Sequence, residues 1–211
     1  MNPPALGRFL TLEGGEGAGK SSLAKALSAA LAGPERQVII TREPGGTPSA
    51  DAIRQILVRD EGQSLAPLTE ALLFTAARNE HIRQVIAPAL ARGDWVICDR
   101  YLDSTRAYQA AAGGLGPQVC EALARMIAAP RPDLTLLLDV APETGLARSV
   151  GRARGEDRFE KRDLAFHAAV RAAFLEIAAE EPGRMTVIAA DQPAHAVLEQ
   201  ALASLRIRGW L

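Results

Sequence analysis

The sequence predicts an α/β fold in which a parallel sheet is covered by helices on both faces. Three observations predict it. Short apolar runs of strand type alternate with helix-period stretches along the chain. The runs are apolar almost throughout, as strands buried on both faces require. A glycine-rich loop, Gly14-Gly15-Glu16-Gly17-Ala18-Gly19-Lys20-Ser21, separates the first run from the first helical stretch.

Arg8 to Glu13 forms the first predicted strand, carrying Phe9, Leu10 and Leu12. Lys20 to Leu31 reads as a helix with Leu23, Ala24, Leu27 and Leu31 on one face, stopped by Gly33-Pro34. Val38 to Ile40 is a second strand, ended by the turn-rich Glu43-Pro44-Gly45-Gly46-Thr47-Pro48. Asp51 to Val58 is helical, and Pro67 to Ala91 is a long helix in which Pro88 marks a kink or break. Trp95 to Cys98 is a third strand closed by Asp99-Arg100, followed by helices near Ser104–Ala111 and Gln118–Ala128. Leu134 to Val140 is a fourth strand, Pro142 to Arg152 a helix, and Leu164 to Ala179 another. Met185 to Ala189 and Ala194 to Ile207 supply the last strand and helix. At 211 residues the expectation is one domain over 1–211, with a short lid near 150–160.

The 24 basic and 25 acidic side chains nearly cancel, so neither a nucleic acid nor a membrane is an expected partner. Cys98 and Cys120 match no metal or redox spacing, and no secretory signal is apparent after Met1. A cytoplasmic protein with reduced thiols is the resulting expectation.

The loop has Walker A spacing in the strand–loop–helix setting that the motif needs. Its glycines let backbone N–H groups turn toward a phosphate chain, helped by the positive end of the new helix. Gly14 to Ser21, with Ser22 next, are the expected ATP contacts; Lys20 would reach the β/γ-phosphates and the Ser21 hydroxyl would bind Mg²⁺. A phosphate loop alone also suits a regulatory GTPase, but Asp-x-x-Gly and Asn-Lys-x-Asp motifs are missing from suitable positions.

Ligands of open α/β sheets sit beyond the carboxyl ends of the strands. Glu13, Arg42-Glu43 and Asp99-Arg100 fall there. Arg100 could grip a phosphate, while Asp99 either orients Arg100 or holds a magnesium-bound water; the alternative for the pair is an internal salt bridge. Arg152, Arg154 and Arg158 crowd a polar stretch between two helices, which reads either as a lid closing over transferring phosphates or as a solvated charged turn. His81, His167 and His195 all fall in helical stretches, so no histidine stands out as a base.

Taken in order, Leu12-Glu13-Gly14 with the phosphate loop, Thr41-Arg42-Glu43-Pro44-Gly45-Gly46-Thr47, Leu73-Phe74-Thr75-Ala76-Ala77-Arg78, Val96-Ile97-Cys98-Asp99-Arg100-Tyr101, Ser104-Thr105-Arg106-Ala107-Tyr108-Gln109 and Arg131-Pro132-Asp133-Leu134-Thr135 resemble bacterial thymidylate kinase. The resemblance spans essentially the whole chain. It implies a P-loop nucleoside monophosphate kinase fold with a five-stranded parallel sheet, a homodimer, and transfer of the ATP γ-phosphoryl group to dTMP in dTTP synthesis. The loop contains Glu16-Gly17-Ala18 and no basic residue before Lys20, so the chain looks like the subtype whose lid supplies arginines, here Arg152, Arg154 and Arg158.

Phe74 and Arg78 lie four apart on one predicted helix face. Core packing is the ordinary reading of Phe74; the resemblance implies instead that Phe74 stacks on thymine and Arg78 bonds its edge. It further implies a base pocket completed by Ser104, Thr105, Tyr108 and Gln109, a contact of Glu16 with the sugar 3′-hydroxyl, a wall shaped by Pro44 after a cis bond, and an approach of Phe159 and Glu160 to the sugar. Arg148 and the Ala190–Pro193 loop are the candidates for framing adenine.

Overall fold

β1 (Arg8–Glu13) is the spine of the sheet, because it has a parallel neighbour on each side. In the computed structural model, residues 7–33, 36–58, 65–149 and 158–211 are described. β2 (Val38–Arg42), β3 (Trp95–Asp99), β4 (Leu134–Asp139) and β5 (Met185–Ala189) complete a five-stranded parallel sheet ordered β2-β3-β1-β4-β5. Its register sets Leu12 beside both Asp99 and Leu136, which brings the carboxyl ends of the central strands to one edge.

Alternation along β1 decides which layer each side chain joins. Leu10 and Leu12 point to the side where α1 (Lys20–Leu31) contributes Leu23 and Leu27 and α9 (Ala194–Ile207) contributes Val197 and Leu205. Phe9 points to the other side, against Ile82, Ile86, Val96 and Tyr101. On that same side, beside β4, α8 (Leu164–Glu180) packs Val170 and Phe174 on Leu137.

The strand positions match the sequence expectation; the helices differ in their boundaries. α2 (Pro48–Val58) begins three residues before the expected Asp51, with the Thr47 hydroxyl accepting from Ala50 N–H as its start signal. α3 (Pro67–His81) does not break at Pro88. It passes through a π turn, Ile82–Ile86, into α4 (Ala87–Ala91), and the Ala87 N–H donates to Ile82 O. That wider turn absorbs the missing Pro88 donor without interrupting the axis. α5 (Leu102–Thr105) starts two residues before the expected helix and continues as a second π segment, Arg106–Ala112. α6 (Pro117–Met126) ends before Ala128, which has φ 47°. α7 (Pro142–Ser149) is followed by undescribed residues, so the expected end at Arg152 lies outside the described chain.

Behind the sheet edge lies a buried polar knot. Asp103 accepts from Arg184 at 2.8 and 3.1 Å and from Arg106 at 3.0 Å. Arg184 also donates to Glu181 at 2.8 Å, and Thr11 and Thr135 share a hydrogen bond of 2.7 Å beside it. Burial opposes the charge on Arg184, but its bonds to Asp103 and Glu181 outweigh burial and raise its pKa. Removing Arg184 leaves buried Asp103 with Arg106 as its remaining charged partner and one carboxylate oxygen short of a strong donor. Arg184→Ala should therefore destabilise the fold by about 1–3 kcal/mol in urea unfolding, whereas adding Asp103→Ala should recover part of that loss.

Candidate active site

The phosphate loop owes its shape to contacts on both of its sides. Gly14, Gly17 and Gly19 have φ of 134°, 65° and 95°, values that suit glycine. A Cβ on Gly14 would lie 2.3 Å from Leu138 O. A Cβ on Gly17 would lie 1.9 Å from Gly145 O, and one on Gly145 would lie 2.3 Å from Glu16 O. α7 thus presses its own glycine against the loop. Gly145 was not marked as functional by the sequence, because nothing local separates it from any other helical glycine.

Lys20 folds back over the loop, donating to Gly14 O at 3.1 Å and Gly15 O at 2.8 Å. Burial, followed by the nearby Arg100, lowers its pKa. Ser21 donates to Asp99 Oδ2 at 2.6 Å, so Asp99 faces the helix start and does not orient Arg100 by a hydrogen bond. Arg100 has a left-handed φ of 69° and turns across the cleft. Its Nη1 reaches Gly14 O at 3.1 Å and Ser104 Oγ at 3.2 Å, and its Nη2 reaches Glu16 Oε1 at 2.7 Å. Arg100 thus makes its salt bridge with Glu16 and not within the Asp99–Arg100 pair considered from the sequence, while the guanidinium lies 5.1 Å from the Tyr108 ring centre. Tyr108 OH donates to the same Glu16 oxygen at 3.1 Å. Burial pushes the Glu16 pKa up, but Arg100 and Lys20 overcome this and hold it below the usual value.

Glu13 anchors this turn. Its carboxyl is fully buried and accepts from Tyr101 N–H at 2.8 Å, Ser104 N–H at 3.3 Å and Ser104 Oγ at 2.6 Å. Burial and the charge of Asp103 raise its pKa to about 7.

The cleft between the loop and α3 encloses about 510 Å³. Phe74, half-buried, faces it from α3, and its ring lies 6.3 Å from that of Phe159. Phe159 meets Tyr108 edge-to-face at 5.8 Å. Pro44, Ser104, Thr105, Gln109 and Glu160 also line the cleft, and the Glu43–Pro44 bond is cis. Arg78 is buried against Glu43 at 2.7 Å and donates through Nη2 to Tyr101 O and Thr105 Oγ1, each at 3.1 Å. Burial disfavours its charge, yet Glu43 raises its pKa overall. Gln109 donates to Glu70 at 3.1 Å.

A family model described as thymidylate kinase matches residues 12–201. A thymidylate kinase of Magnetococcus marinus is 53% identical over 192 residues, covering 90% of this chain and 91% of that protein. One of a Bradyrhizobium species is 49% identical over 188 residues, covering 88% and 83%. The crystal structure of thymidylate kinase from Ehrlichia chaffeensis superposes with a TM-score of 0.75 at 32% identity, covering 94% of this chain and 98% of that one. This chain belongs to the thymidylate kinase family.

For a thymidylate kinase, most of the site residues expected from sequence meet around one cleft: Glu16 to Ser22, Pro44, Phe74, Arg78, Asp99, Arg100, Ser104, Thr105, Tyr108, Gln109 and Phe159 all line it. Arg148 stands apart, donating to Ala190 O at 2.8 Å and so joining α7 to the loop after β5. Arg152 and Arg154 lie outside the described residues. Arg158 does not line the cleft; it pairs with Glu70 and donates to Leu57 O at 3.1 Å. Residues missed in the sequence are Gly145, Glu70 and His81. His81 bonds Glu43 at 2.9 Å, and its spacing from Arg78 was the available signal. Glu43, His81 and Cys98 cluster closely enough to suggest a metal site, but the Glu43 oxygens already face Arg78 and His81, and the guanidinium would repel a dication.

Gly145→Ala should push the loop and lower ATP affinity by about tenfold to a hundredfold, corresponding to about 1–3 kcal/mol of overpacking. Titration calorimetry reads this directly, with the circular dichroism spectrum unchanged. Glu13 makes a separate, pH-dependent contribution. Its folded value lies above that of an ordinary glutamate, so its stabilisation is complete below the ordinary value and is lost as pH rises through about 7. From roughly pH 5 to roughly pH 8 the urea midpoint of the wild type should fall more than that of Glu13→Gln.

Proposed function

We propose that this cleft transfers the γ-phosphoryl group of ATP to dTMP, giving dTDP and ADP, with the site residues acting as follows. The observation that carries the reading is the convergence of two cations on one carbonyl: Lys20 Nζ and Arg100 Nη1 each donate to Gly14 O at 3.1 Å. They approach it from two separate elements, Lys20 from the start of α1 and Arg100 from the turn after β3. Like charges gathered at one point suit the meeting of donor and acceptor phosphates. Lys20 serves the ATP β/γ-phosphates and Arg100 the dTMP phosphate.

The acceptor phosphate has a second pKa of about 6 and is largely dianionic at neutral pH, so it needs no strong general base. The protein's contribution is alignment and charge neutralisation. Phe74 stacks on thymine, Arg78 bonds its edge, and Phe159 and Tyr108 close the pocket beside the sugar. Ser104 and Thr105 hold the two arginines, Gln109 sets the pocket floor through Glu70, and Glu16 meets the 3′-hydroxyl. Arg148 and the loop after β5 frame adenine.

Ser21 and Asp99 present hard oxygen ligands 2.6 Å apart beside the loop, a donor set that fits Mg²⁺ directly or through water. The ion, when bound, neutralises charge on the ATP phosphates. Because no basic side chain stands between Gly14 and Lys20, Arg152 and Arg154 from the lid supply further charge to the transferring group. For Arg158 to join them it must leave Glu70. In the homodimer, α2 and α3 form the interface; their exposed Ile56, Leu68 and Leu72 support this. The two buried thiols, Cys98 and Cys120, support a cytoplasmic location; among the described residues no helix is long and apolar enough to cross a membrane.

A coupled ADP-release assay across dTMP, dUMP, dCMP, dAMP and dGMP should show strong preference for dTMP. Arg78→Ala should raise the KM for dTMP by about tenfold or more while leaving that for ATP nearly unchanged. Turnover with a different acceptor alone would reject the substrate assignment, and collapse of ATP affinity in Arg78→Ala would reject the pocket assignment.

A further inference from the structure

Behind the acceptor side of the cleft lies a buried chain of polar groups that touches no cleft surface at its far end. The Glu43 carboxylate accepts from Arg78 Nε at 2.7 Å and bonds His81 Nδ1 at 2.9 Å. His81 Nε2 in turn bonds Thr41 Oγ1 at 2.6 Å. Facing the arginine, the carboxylate is an acceptor only, so the Nδ1 proton belongs to the imidazole. His81 is fully buried and sits three residues beyond Arg78 on α3, hence on the same side of the helix. Its ring also seats the loop that follows Glu43: a Cβ on Gly46, where φ is 88°, would lie 2.7 Å from His81 Cδ2 and Nε2.

We propose that His81 is a positioning residue for recognition of the acceptor base: by occupying Glu43 Oε1 it fixes the carboxylate, and the carboxylate fixes the guanidinium plane of Arg78. This rests on the reading that Arg78 meets the edge of thymine. The physical reason lies in the competing geometry. A carboxylate beside an arginine prefers two parallel N–H···O bonds. With His81 holding Oε1, only Nε of Arg78 bonds Glu43, and Nη2 is left to reach Tyr101 O and Thr105 Oγ1. Without that donor, the buried Oε1 would lack a partner and would turn to take Nη2. The guanidinium would then rotate away from its two wall contacts, and the side chain would leave the position in which it lines the cleft. His81 thus acts on substrate choice without touching substrate.

Two replacements separate this role from simple packing. His81→Asn keeps an amide N–H near the Nδ1 position, whereas His81→Gln places its amide near Nε2 and withdraws the donor from Glu43. His81→Gln should raise the KM for dTMP by about tenfold, the effect of about 1.4 kcal/mol, with the KM for ATP within about twofold. His81→Asn should stay within about threefold of wild type for both. In an Arg78→Ala background His81→Gln should add almost nothing, since the two act through one group. If Arg78→Ala raises the dTMP KM and His81→Gln does not, the positioning role is wrong and the Arg78 reading stands. If Arg78→Ala itself leaves the dTMP KM unchanged, the Arg78 reading fails and takes the inference with it. A His81→Gln effect that persists in the Arg78→Ala background, falls equally on ATP, or is matched by His81→Asn would also overturn the proposal. Should His81→Gln fail to fold, Thr41→Val is read the same way: a rise of about threefold in dTMP KM alone supports the inference, and no change overturns it.

Discussion

The site depends on how β1 is joined to the turn after β3. Arg100 adopts a left-handed backbone at φ 69°, an uncommon conformation for a residue with a side chain. It is held there because its N–H donates to Leu12 O at 2.9 Å while the next turn is tied to buried Glu13. Such strain persists only where the surroundings overdetermine it. The consequence is geometric. With the backbone fixed, the guanidinium crosses to Gly14 O and Glu16, so the phosphate loop and the turn after β3 share one reference point. α5 leaves this turn and continues into the π segment beginning at Arg106, which delivers Tyr108 to the same Glu16 oxygen.

The sequence made these parts legible in proportion to how local their signals are. The strands are short apolar runs, and the phosphate loop is a contiguous pattern in a contiguous setting, so both could be read directly. Phe74 and Arg78 could be placed on one helix face by spacing, although their roles came from the family resemblance. The π turns could not be read: Pro88 signals a disturbed helix, but whether the chain breaks or widens is decided by the packing of Ile82 and Ile86 against Phe9. Gly145 is legible only once α7 is known to touch Glu16 O. His81 looked like an ordinary helical residue because its partners, Thr41 and Glu43, lie about forty residues away in sequence. Asp99 has two readings in sequence, orienting Arg100 or holding a magnesium-bound water; the left-handed backbone at Arg100 carries that residue away from the strand direction, and Asp99 accepts from Ser21 rather than from Arg100.

The charges around the cleft divide into two kinds, and the division follows the nature of their partners. Lys20 and Arg100 rest on loop carbonyls and on Glu16, a carboxylate that is only partly buried. A phosphate forms charge-assisted hydrogen bonds that a neutral carbonyl cannot match. These partners are therefore the kind that an anionic ligand can replace. Arg78 is different. Its partner Glu43 is buried with it, and separating them would leave an uncompensated charge in the interior. Under the proposed assignment, the side of the cleft that handles phosphate is built from exchangeable contacts and the side that reads the base from fixed ones. Reaction requires phosphate contacts that can change as charge moves between donor and acceptor, whereas discrimination among bases requires a hydrogen-bonding edge that does not adapt to the wrong one.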